Sequence, residues 1–286
     1  MNAGVKTVLR TVQVNVPMFL DAKFALMRSY RKARRIPFDR DFDAIRLFPV
    51  ADGALFLDVG ANRGQSTDAI LMMAKHSRIQ LFEPNPALCE KLRRQFHGND
   101  NVAINDFGLG NSTTEQPLHI PFYRNWMFDG LASFDREKAS NWLEHRILFY
   151  DERHLSIRVV MCKVKRLDDL GLAPFFVKVD VQGCDFEVIQ GGEQTIRTHD
   201  PVLLLESPPQ RKTTSVLEGM GYTCYTFRNN KFIRGIADGN NTFFMSERAA
   251  SLVSSHIVSS GAPQHGSRIS VTRRDNPPEL PRSSVL

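Results

Sequence analysis

The sequence predicts an α/β fold in which helices cover both faces of a mostly parallel sheet. Between residues 51 and 247, short apolar runs alternate with polar, helix-like stretches, an order that is typical of consecutive βαβ units. Parallel strands connected in this way are buried by helices on both faces of the sheet. A chain of 286 residues can bury such a core without disulfide bonds.

The elements of this fold are predicted in order along the chain. Strands are expected at residues 55–59, 79–83, 102–107, 175–180 and 202–206, and helices at 68–75, 86–96, 185–196 and 215–218. Two further apolar runs, at 223–227 and 242–246, are expected to close a seven-stranded sheet as an antiparallel pair. Residues 111–165 interrupt the alternation, and we interpret them as an insertion with a hairpin at 117–122, a helix at 136–148 and a strand at 157–163.

The two ends of the chain differ from this central domain of residues 51–247. Residues 1–50 are predicted to be a basic helical N-terminal extension, because six basic residues and no acidic residue lie from Lys23 to Arg35. We expect a solvated helix packed against the domain there, with contact to an anionic membrane surface as the alternative. Residues 248–286 are rich in Ser, Pro and Arg and are expected to form a disordered tail.

Composition and charge exclude several classes of protein. The 37 Lys and Arg residues exceed the 31 Asp and Glu residues by six, a smaller excess than a dedicated nucleic-acid binder carries. The four cysteines lack the spacing of a disulfide framework and predict reduced thiols. No apolar stretch reaches about 18 residues, the length that a membrane-spanning helix needs. We therefore expect a cytoplasmic protein, peripheral at the inner face of the membrane if the basic extension binds there.

The strongest local pattern is a strand that runs into a glycine-rich turn, Leu57-Asp58-Val59-Gly60-Ala61-Asn62-Arg63-Gly64. Gly60 and Gly64 would let the backbone approach a ligand closely, and the helix that follows offers unpaired N–H groups. The turn lacks the GxGxxG pattern of pyrophosphate sites, and its leading carboxylate favours a cationic ligand. Asp58, Gly60, Asn62 and Gly64 are therefore candidate ligand-binding residues, with a plain strand-to-helix turn as the alternative.

Acidic residues also follow the next two predicted strands. Glu83 ends the second strand, where a carboxylate can accept hydrogen bonds from both hydroxyls of a ribose. Asp106 ends the third strand, where a polar side chain could reach an adenine edge; a turn-forming role is the alternative. Both residues join the candidate ligand-binding set.

Further motifs follow one another along the chain: FLDVGANRGQ, FEPNP, GLASF, VKRLDDL, FVKVDVQGCDFEVIQGG, PVLLLE and GY. They span about residues 50–246 and resemble the FkbM family of methyltransferases. The resemblance implies a Rossmann-like class I methyltransferase fold and methyl transfer from S-adenosylmethionine to a hydroxyl, commonly on a sugar of a glycolipid, a polysaccharide or a secondary metabolite. The acceptor would be a small molecule or a lipid-linked sugar. Gln182 and Asp185 depart from the family, which usually has glutamate at both positions.

Methyl transfer to an alcohol needs positioned reactants, and it benefits from a base or from a cation that stabilises the developing alkoxide. The carboxyl ends of the strands are the expected catalytic face. Asp180 is the first candidate for the base or for substrate orientation, and Glu206 is the second. Lys178 is expected to pair with one of them. It lies two residues before Asp180 on a strand, so both side chains share one face, and a purely structural ion pair is the alternative.

Other interpretations of the same region stay open. Asp180, Asp185 and Glu206 could hold a divalent cation through oxygen ligands. Ser133 lies in a loop that could cover the site, where it could bind the acceptor or the cofactor carboxylate. The three histidines of the insertion are expected to be ordinary residues rather than bases: His119, His145 and His154.

Alternative functions are weighed against this one. The net charge permits an RNA methyltransferase or another nucleic-acid-binding protein, but no aromatic-basic recognition motif is present. A nicotinamide-dependent oxidoreductase would be expected to carry the GxGxxG turn that this chain lacks. A non-catalytic scaffold protein is disfavoured because the acidic and glycine residues of the motifs are present in this chain.

Overall fold

The structure is a computed structural model, and it describes residues 17–124, 126–140, 150–207, 209–236 and 241–258. Its strands are β1 (Leu55–Val59), β2 (Arg78–Phe82), β3 (Val102–Asn105), β4 (Gly108–Leu109), β5 (Thr114–Tyr123), β6 (Trp126–Met127), β7 (Leu155–Lys165), β8 (Phe176–Val179), β9 (Val202–Glu206), β10 (Thr223–Arg228), β11 (Lys231–Arg234), β12 (Asn241–Met245) and β13 (Ile257–Val258). Its α-helices are α1 (Pro17–Arg34), α2 (Gln65–Met73), α3 (Pro86–Gln95), α4 (Arg136–Ser140), α5 (Asp185–Gly191), α6 (Glu193–His199), α7 (Arg211–Gly219) and α8 (Glu247–Ser251).

The main sheet has nine strands in the order β13-β11-β10-β12-β9-β8-β1-β2-β3. Neighbouring strands from β9 to β3 are parallel, whereas β12 runs antiparallel to both β9 and β10. The sheet is therefore mixed, and the seven strands from β10 to β3 are those that the sequence predicts. The α/β fold and its closing antiparallel pair are confirmed.

The expected count of seven strands is too low by two, because the sequence analysis does not predict β11 or β13. β11 is antiparallel to β10, and the two-residue β13 is parallel to β11. Phe232 is the one buried residue of β11, and β13 is too short to show a pattern. Their conformation comes from pairing at the sheet edge, which local sequence does not reveal.

The register of the parallel strands brings the candidate residues to one edge. Val59, at the end of β1, is paired with the last residues of β2 and β8. The end of β8 is in turn paired with Leu205, one residue before the end of β9. The residues that follow these positions, Gly60, Glu83, Asp180 and Glu206, therefore meet at the same end of the sheet.

Two apolar cores cover the two faces of the sheet. Phe56 of β1 packs on one face with Ile70 of α2 and Phe42, which lies in a 3-10 helix at Arg40–Leu47. Leu57, the next residue, packs on the opposite face with residues of α5, α6 and α7, including Ile189. Successive strand residues point to opposite faces, so a strand buried on both sides reads as the continuous apolar run seen in the sequence.

The predicted helix at 185–196 is two helices, α5 and α6, which are separated at Gly192. A Cβ at Gly191 would lie 1.8 Å from the backbone oxygen of Gly110, and one at Gly192 would lie 2.9 Å from the Leu167 side chain. The break thus occurs where the backbone packs closely against neighbouring segments. The predicted helix at 136–148 is seen as α4 up to Ser140, and the rest of it, residues 141–148, lies outside the described residues.

Residues 248–258 are folded, so the predicted start of the disordered tail at residue 248 is wrong. α8 begins after Ser246, whose hydroxyl caps the helix by accepting the Ala249 N–H, and Val253 is buried in the core. Burial of Ala249 and Val253, the ion pair of Arg248 with Asp200 and the pairing of β13 with β11 dock this segment, although its composition resembles that of a tail. Residues 259–286 lie outside the described residues, as do residues 1–16 of the N-terminal extension.

The insertion forms a second sheet in the order β4-β7-β5-β6. β5 and β7 are antiparallel over ten residue pairs, from Thr114 with Val164 to Tyr123 with Leu155. Backbone hydrogen bonds of 2.8 and 3.0 Å join His119 to Ser133 and fix the loop that follows β6. This loop includes a 3-10 turn at Asp129–Leu131 and lies over the strand ends of the main sheet. No helix within the described residues is long and apolar enough to cross a membrane.

Candidate functional site

Asp58 lies beneath the glycine-rich turn and has no solvent exposure. Its carboxylate accepts hydrogen bonds from the hydroxyls of Ser66 and Thr67, which lie in the first turn of α2. A buried carboxylate is costly unless it is paired, so these bonds both satisfy Asp58 and tie the end of β1 to α2. Asp58 therefore supports the candidate site from below.

The two glycines of the turn are required by close packing within the protein. Gly60 has φ +76°, and a Cβ there would lie 1.9 Å from the backbone oxygen of Asp180. Gly64 has φ +72°, and a Cβ there would lie 2.8–2.9 Å from side chains of α3 and the residue after it. Both positions need glycine for backbone conformation and for space. Gly60 also lines the candidate cavity, whereas Gly64 packs α2 against α3.

Glu83 directly follows the last residue of β2 and is 6% exposed. One of its carboxylate oxygens accepts the Asn62 N–H at 2.8 Å, and the other accepts the Asn85 N–H at 2.9 Å. Burial raises the pKa of Glu83 to about 7, against the effect of these two hydrogen bonds. The bonds orient the carboxylate between the glycine-rich turn and the start of α3, and each oxygen keeps a further lone pair for a ligand.

Lys178 holds three oxygens together at the base of the site. Its Nζ is 3.5 Å from Asp58 Oδ1 and 3.2 Å from Asp180 Oδ2, and it donates to the Gly60 carbonyl at 3.2 Å. Burial opposes the charge of this amine, but Asp180 and Asp58 outweigh it and raise the pKa of Lys178. The predicted pairing of Lys178 with Asp180 is confirmed, and the lysine remains protonated.

Asp180 and Glu206 form a carboxylate pair beside Lys178. Burial works against ionisation of Asp180, but the Lys178 ammonium prevails and lowers the pKa of Asp180. Burial and the neighbouring Asp180 carboxylate raise the pKa of Glu206 to about 7, although part of the Glu206 side chain is exposed. The Gln182 amide lies 3.3 Å from an oxygen of each. Two carboxyl groups with pKa values pushed apart are suited to hold and move a proton.

A cavity of about 220 Å³ opens at these strand ends. Strand-end residues of the main sheet form one wall, and the insertion loop forms the other. The residues that carry polar or charged groups into the lining are Asn62, Glu83, Asp129, Ser133, Asp180, Gln182 and Glu206. The cavity therefore brings acidic groups from β2, β8 and β9 into one enclosure, which is the usual ligand position in an open α/β sheet.

The candidate residues from the sequence fall into three groups. Five line the cavity: Gly60, Asn62, Glu83, Asp180 and Glu206. Two lie directly beneath it: Asp58 and Lys178. The remaining two, Gly64 and Asp106, are away from it.

Asp106 is exposed and pairs with Arg93 of α3, with 2.9 Å between Arg93 Nη2 and Asp106 Oδ2. Asp106 is not among the residues that line the cavity. β3 ends at Asn105, and the chain then turns so that Gly108 and Leu109 line the cavity instead. The position of a residue at the end of a strand does not by itself determine whether the residue lines the cavity.

Asp129 and Arg63 are site residues that the sequence analysis did not identify. Asp129 lines the cavity from the insertion and forms an ion pair with Arg63, which directly follows Asn62 in the glycine-rich turn. Both side chains are largely buried. The sequence offers one indication that Asp129 belongs to the site, which is its position one residue before the GLASF motif. Its partner Arg63 lies 66 residues away, so a local pattern does not reveal the ion pair.

Asp185, one of the three acids that could hold a divalent cation, is engaged in other contacts. Asp185 accepts hydrogen bonds from Thr213 Oγ1 at 2.6 Å and from Gln210. Its side chain therefore links the first turns of α5 and α7. Across the described residues, no group of three or more His, Cys, Asp or Glu side chains could hold a metal ion. Of the histidines, His119 is half-buried in β5, His154 stacks edge-on against Tyr123, and His145 lies outside the described residues.

Comparisons with known proteins identify similar sequences. Residues 58–224 match the methyltransferase FkbM domain. The 2-O-methyltransferase NoeI of Sinorhizobium fredii is 22% identical over 165 residues, which cover 50% of this chain and 58% of that protein. The AMB antimetabolite synthetase AmbE of Pseudomonas aeruginosa is 27% identical over 161 residues, which cover 48% of this chain and 8% of that protein.

A solved structure of a methyltransferase FkbM from Methylobacillus flagellatus is 16% identical to this chain, with a TM-score of 0.46. The similarity covers 70% of this chain and 45% of that one. This chain therefore spans less than two thirds of the length of each of these three proteins.

Proposed function

Because the chain belongs to the FkbM methyltransferase family, we propose that it transfers a methyl group from S-adenosylmethionine to a hydroxyl oxygen. The observation that carries this proposal is the meeting of Glu83, Asp180 and Glu206 in one cavity at the carboxyl ends of three strands. The similarity to a 2-O-methyltransferase supports oxygen as the acceptor atom. We further propose a sugar of a glycolipid, a polysaccharide or a secondary metabolite as the acceptor.

The lining residues fit S-adenosylmethionine. Glu83 has a free lone pair on each oxygen for the two ribose hydroxyls, and the acidic lining suits a sulfonium cation. The cavity of about 220 Å³ is smaller than the roughly 300–1,000 Å³ of common ligand sites. We therefore expect the turn at Asp129–Leu131 to move away from the strand ends when the donor binds.

The bound donor would supply an electrophilic methyl group, and the residues of the chain would handle the acceptor proton. A base works best when its pKa is near the working pH, which favours Glu206, with a pKa of about 7, as the group that accepts the hydroxyl proton. Asp180 is held ionised by Lys178 and would orient the acceptor hydroxyl. Gln182 bridges the two carboxyl groups and would keep them in position.

Calorimetric titration with S-adenosylmethionine and with its demethylated product tests the donor. We expect micromolar binding of both by the wild-type protein, and at least about tenfold weaker binding by Glu83→Gln because one ribose hydrogen bond is lost. Asp106→Asn is the matched control, since Asp106 is exposed and outside the cavity. Absence of binding by the wild-type protein, or equal weakening by both variants, would contradict the proposed site.

A further inference from the structure

A second cavity, of about 570 Å³, lies between α1 and the pair α2 and α3. We call it the basic cavity, because its lining carries one carboxylate, Asp68, and six cations: Arg28, Arg31, Lys32, Arg63, Lys91 and Arg94. Its lining also includes the apolar side chains of Met72 and Leu92. Its volume falls within the roughly 300–1,000 Å³ that is typical of ligand sites.

The single carboxylate of the basic cavity is shared between two of the cations. Asp68 is almost fully buried, accepts hydrogen bonds from the Arg28 guanidinium and lies 3.0 Å from Lys32 Nζ. It also accepts the Gln95 amide at 3.4 Å. Asp68 can neutralise only one of the two positive charges that it contacts, and Arg94 and Arg63 pair with Glu90 and Asp129 outside the lining. The six cations of the lining therefore still outnumber these three acids.

Two of these cations lie against aromatic rings. The Arg63 guanidinium lies 4.4 Å from the centre of the Phe24 ring, and the Arg28 guanidinium lies 5.4 Å from that of Phe96. These ring contacts, together with the bonds of Arg28 to Asp68 and of Arg63 to Asp129, hold the two guanidinium groups in position, so that they contribute fixed positive charge to the wall of the cavity. A cluster of cations around a concave surface also raises the local concentration of anions.

We propose that the basic cavity is a binding site for a phosphate-class anion carried by a ligand other than the methyl donor. Arg63 joins this site to the candidate catalytic cavity, since its ion-pair partner Asp129 lines the latter. The apolar side chains of the lining would contact the part of the ligand that adjoins its anionic group. None of the six cations is assigned to the methyl donor, so this proposal and the proposed function can fail separately.

Titration of the full chain with inorganic phosphate and with pyrophosphate, at constant low ionic strength, tests the anion site. The test variant is Arg31→Ala/Lys91→Ala, which leaves the Asp68 contacts of α1 intact. The control variant is Lys231→Ala/Arg234→Ala, which removes the same charge from exposed positions of β11. We expect the test variant to bind both anions at least about fivefold more weakly, and the control to match the wild type.

Vesicles of phosphatidylcholine, with and without phosphatidylglycerol, distinguish the source of the anion. Binding to the phosphatidylglycerol vesicles that is lost in the test variant indicates a lipid headgroup, and it would also place α1 at a membrane surface. Binding of soluble phosphate or pyrophosphate without vesicle binding indicates a soluble phosphorylated ligand. The proposal is overturned if the wild-type protein binds neither anion nor vesicles, or if the test and control variants weaken binding equally.

Discussion

Lys178 is the residue on which the charges of the candidate site depend. It is 4% exposed and contacts Asp58, Asp180 and the Gly60 carbonyl. One side chain thereby connects the glycine-rich turn of β1 to the acidic end of β8. The ion pair that the sequence analysis considered as a structural alternative is therefore also the contact that keeps Asp180 ionised.

Replacing Lys178 with methionine preserves most of its volume but leaves two carboxylates without their shared cation. We expect the free energy of unfolding to fall by about 3–5 kcal/mol, because the fully buried Asp58 carboxylate loses the cation that it contacts. Urea denaturation measures the change. Lys163→Met, at an exposed position of β7, is the control and should change it by less than about 0.5 kcal/mol. A loss as small as that of the control would show that Lys178 is not needed to balance the two acids.

Gly60 and Gly98 have nearly the same backbone conformation, with φ +76° and +75°, but different surroundings. A Cβ at Gly60 would collide with the Asp180 carbonyl, whereas a Cβ at Gly98 meets nothing within 4 Å. We expect Gly98→Ala to cost about 1–2 kcal/mol of stability through backbone strain alone, and Gly60→Ala to cost at least about 4 kcal/mol. Thermal or urea unfolding compares them, and equal losses would rule out the close strand contact.

From Lys23 onwards, where the structure describes its side chains, the helix α1 contacts the domain through ion pairs. Arg28 and Lys32 contact Asp68 of α2, while Leu26 and Tyr30 remain 71% and 55% exposed. This part of α1 contrasts with the 3-10 helix at Arg40–Leu47, whose Phe42 and Ile45 are in the core. A helix lies within the predicted N-terminal extension, and its docking against α2 and α3 creates the basic cavity.

Asp68→Ala should release α1 without unfolding the sheet. We expect the backbone amides of α1 to exchange with solvent about tenfold faster or more, because both ion pairs of the helix are lost, and those of β1 to be unchanged. Hydrogen exchange followed by mass spectrometry measures both. Glu193→Ala, which removes an exposed ion pair with Arg197, is the control. Unchanged exchange in α1 would mean that apolar contacts hold the helix.

The stability of the whole molecule should depend on pH through its buried acids. The pKa of Glu83 is raised from 4.5 to about 7, so the folded state binds a proton that the unfolded state has released between these values. Stability therefore falls as pH rises through this window. Glu206 acts in the same direction, but its partial exposure weakens its effect.

Glu83→Gln should remove most of this pH dependence. We expect the free energy of unfolding of the wild-type protein to fall by about 3 kcal/mol between pH 4.5 and pH 8, since each pKa unit corresponds to about 1.4 kcal/mol. Urea denaturation across this range measures the slope, which should be shallower in Glu83→Gln and unchanged in Glu115→Gln, at an exposed position of β5. A wild-type stability that does not fall with pH would contradict the raised pKa.

The sequence by itself determined the order of strands and helices, the family, and most residues of the candidate site. These depend on local features: apolar runs, glycines at strand ends, and acids that directly follow strands. Parallel pairing then brings strand ends together, so Gly60, Glu83, Asp180 and Glu206 were predictable as neighbours.

Only the tertiary structure decided which strand-end side chains reach the cavity and what surrounds them. Asp106 turns towards Arg93, Asp129 arrives from the insertion to pair with Arg63, and the docking of α1 produces the basic cavity. The added edge strands β11 and β13 also arise from pairing partners distant in the chain. Each of these contacts joins residues that are remote in sequence, and their energies depend on packing and charge in the folded chain, which a local pattern does not encode.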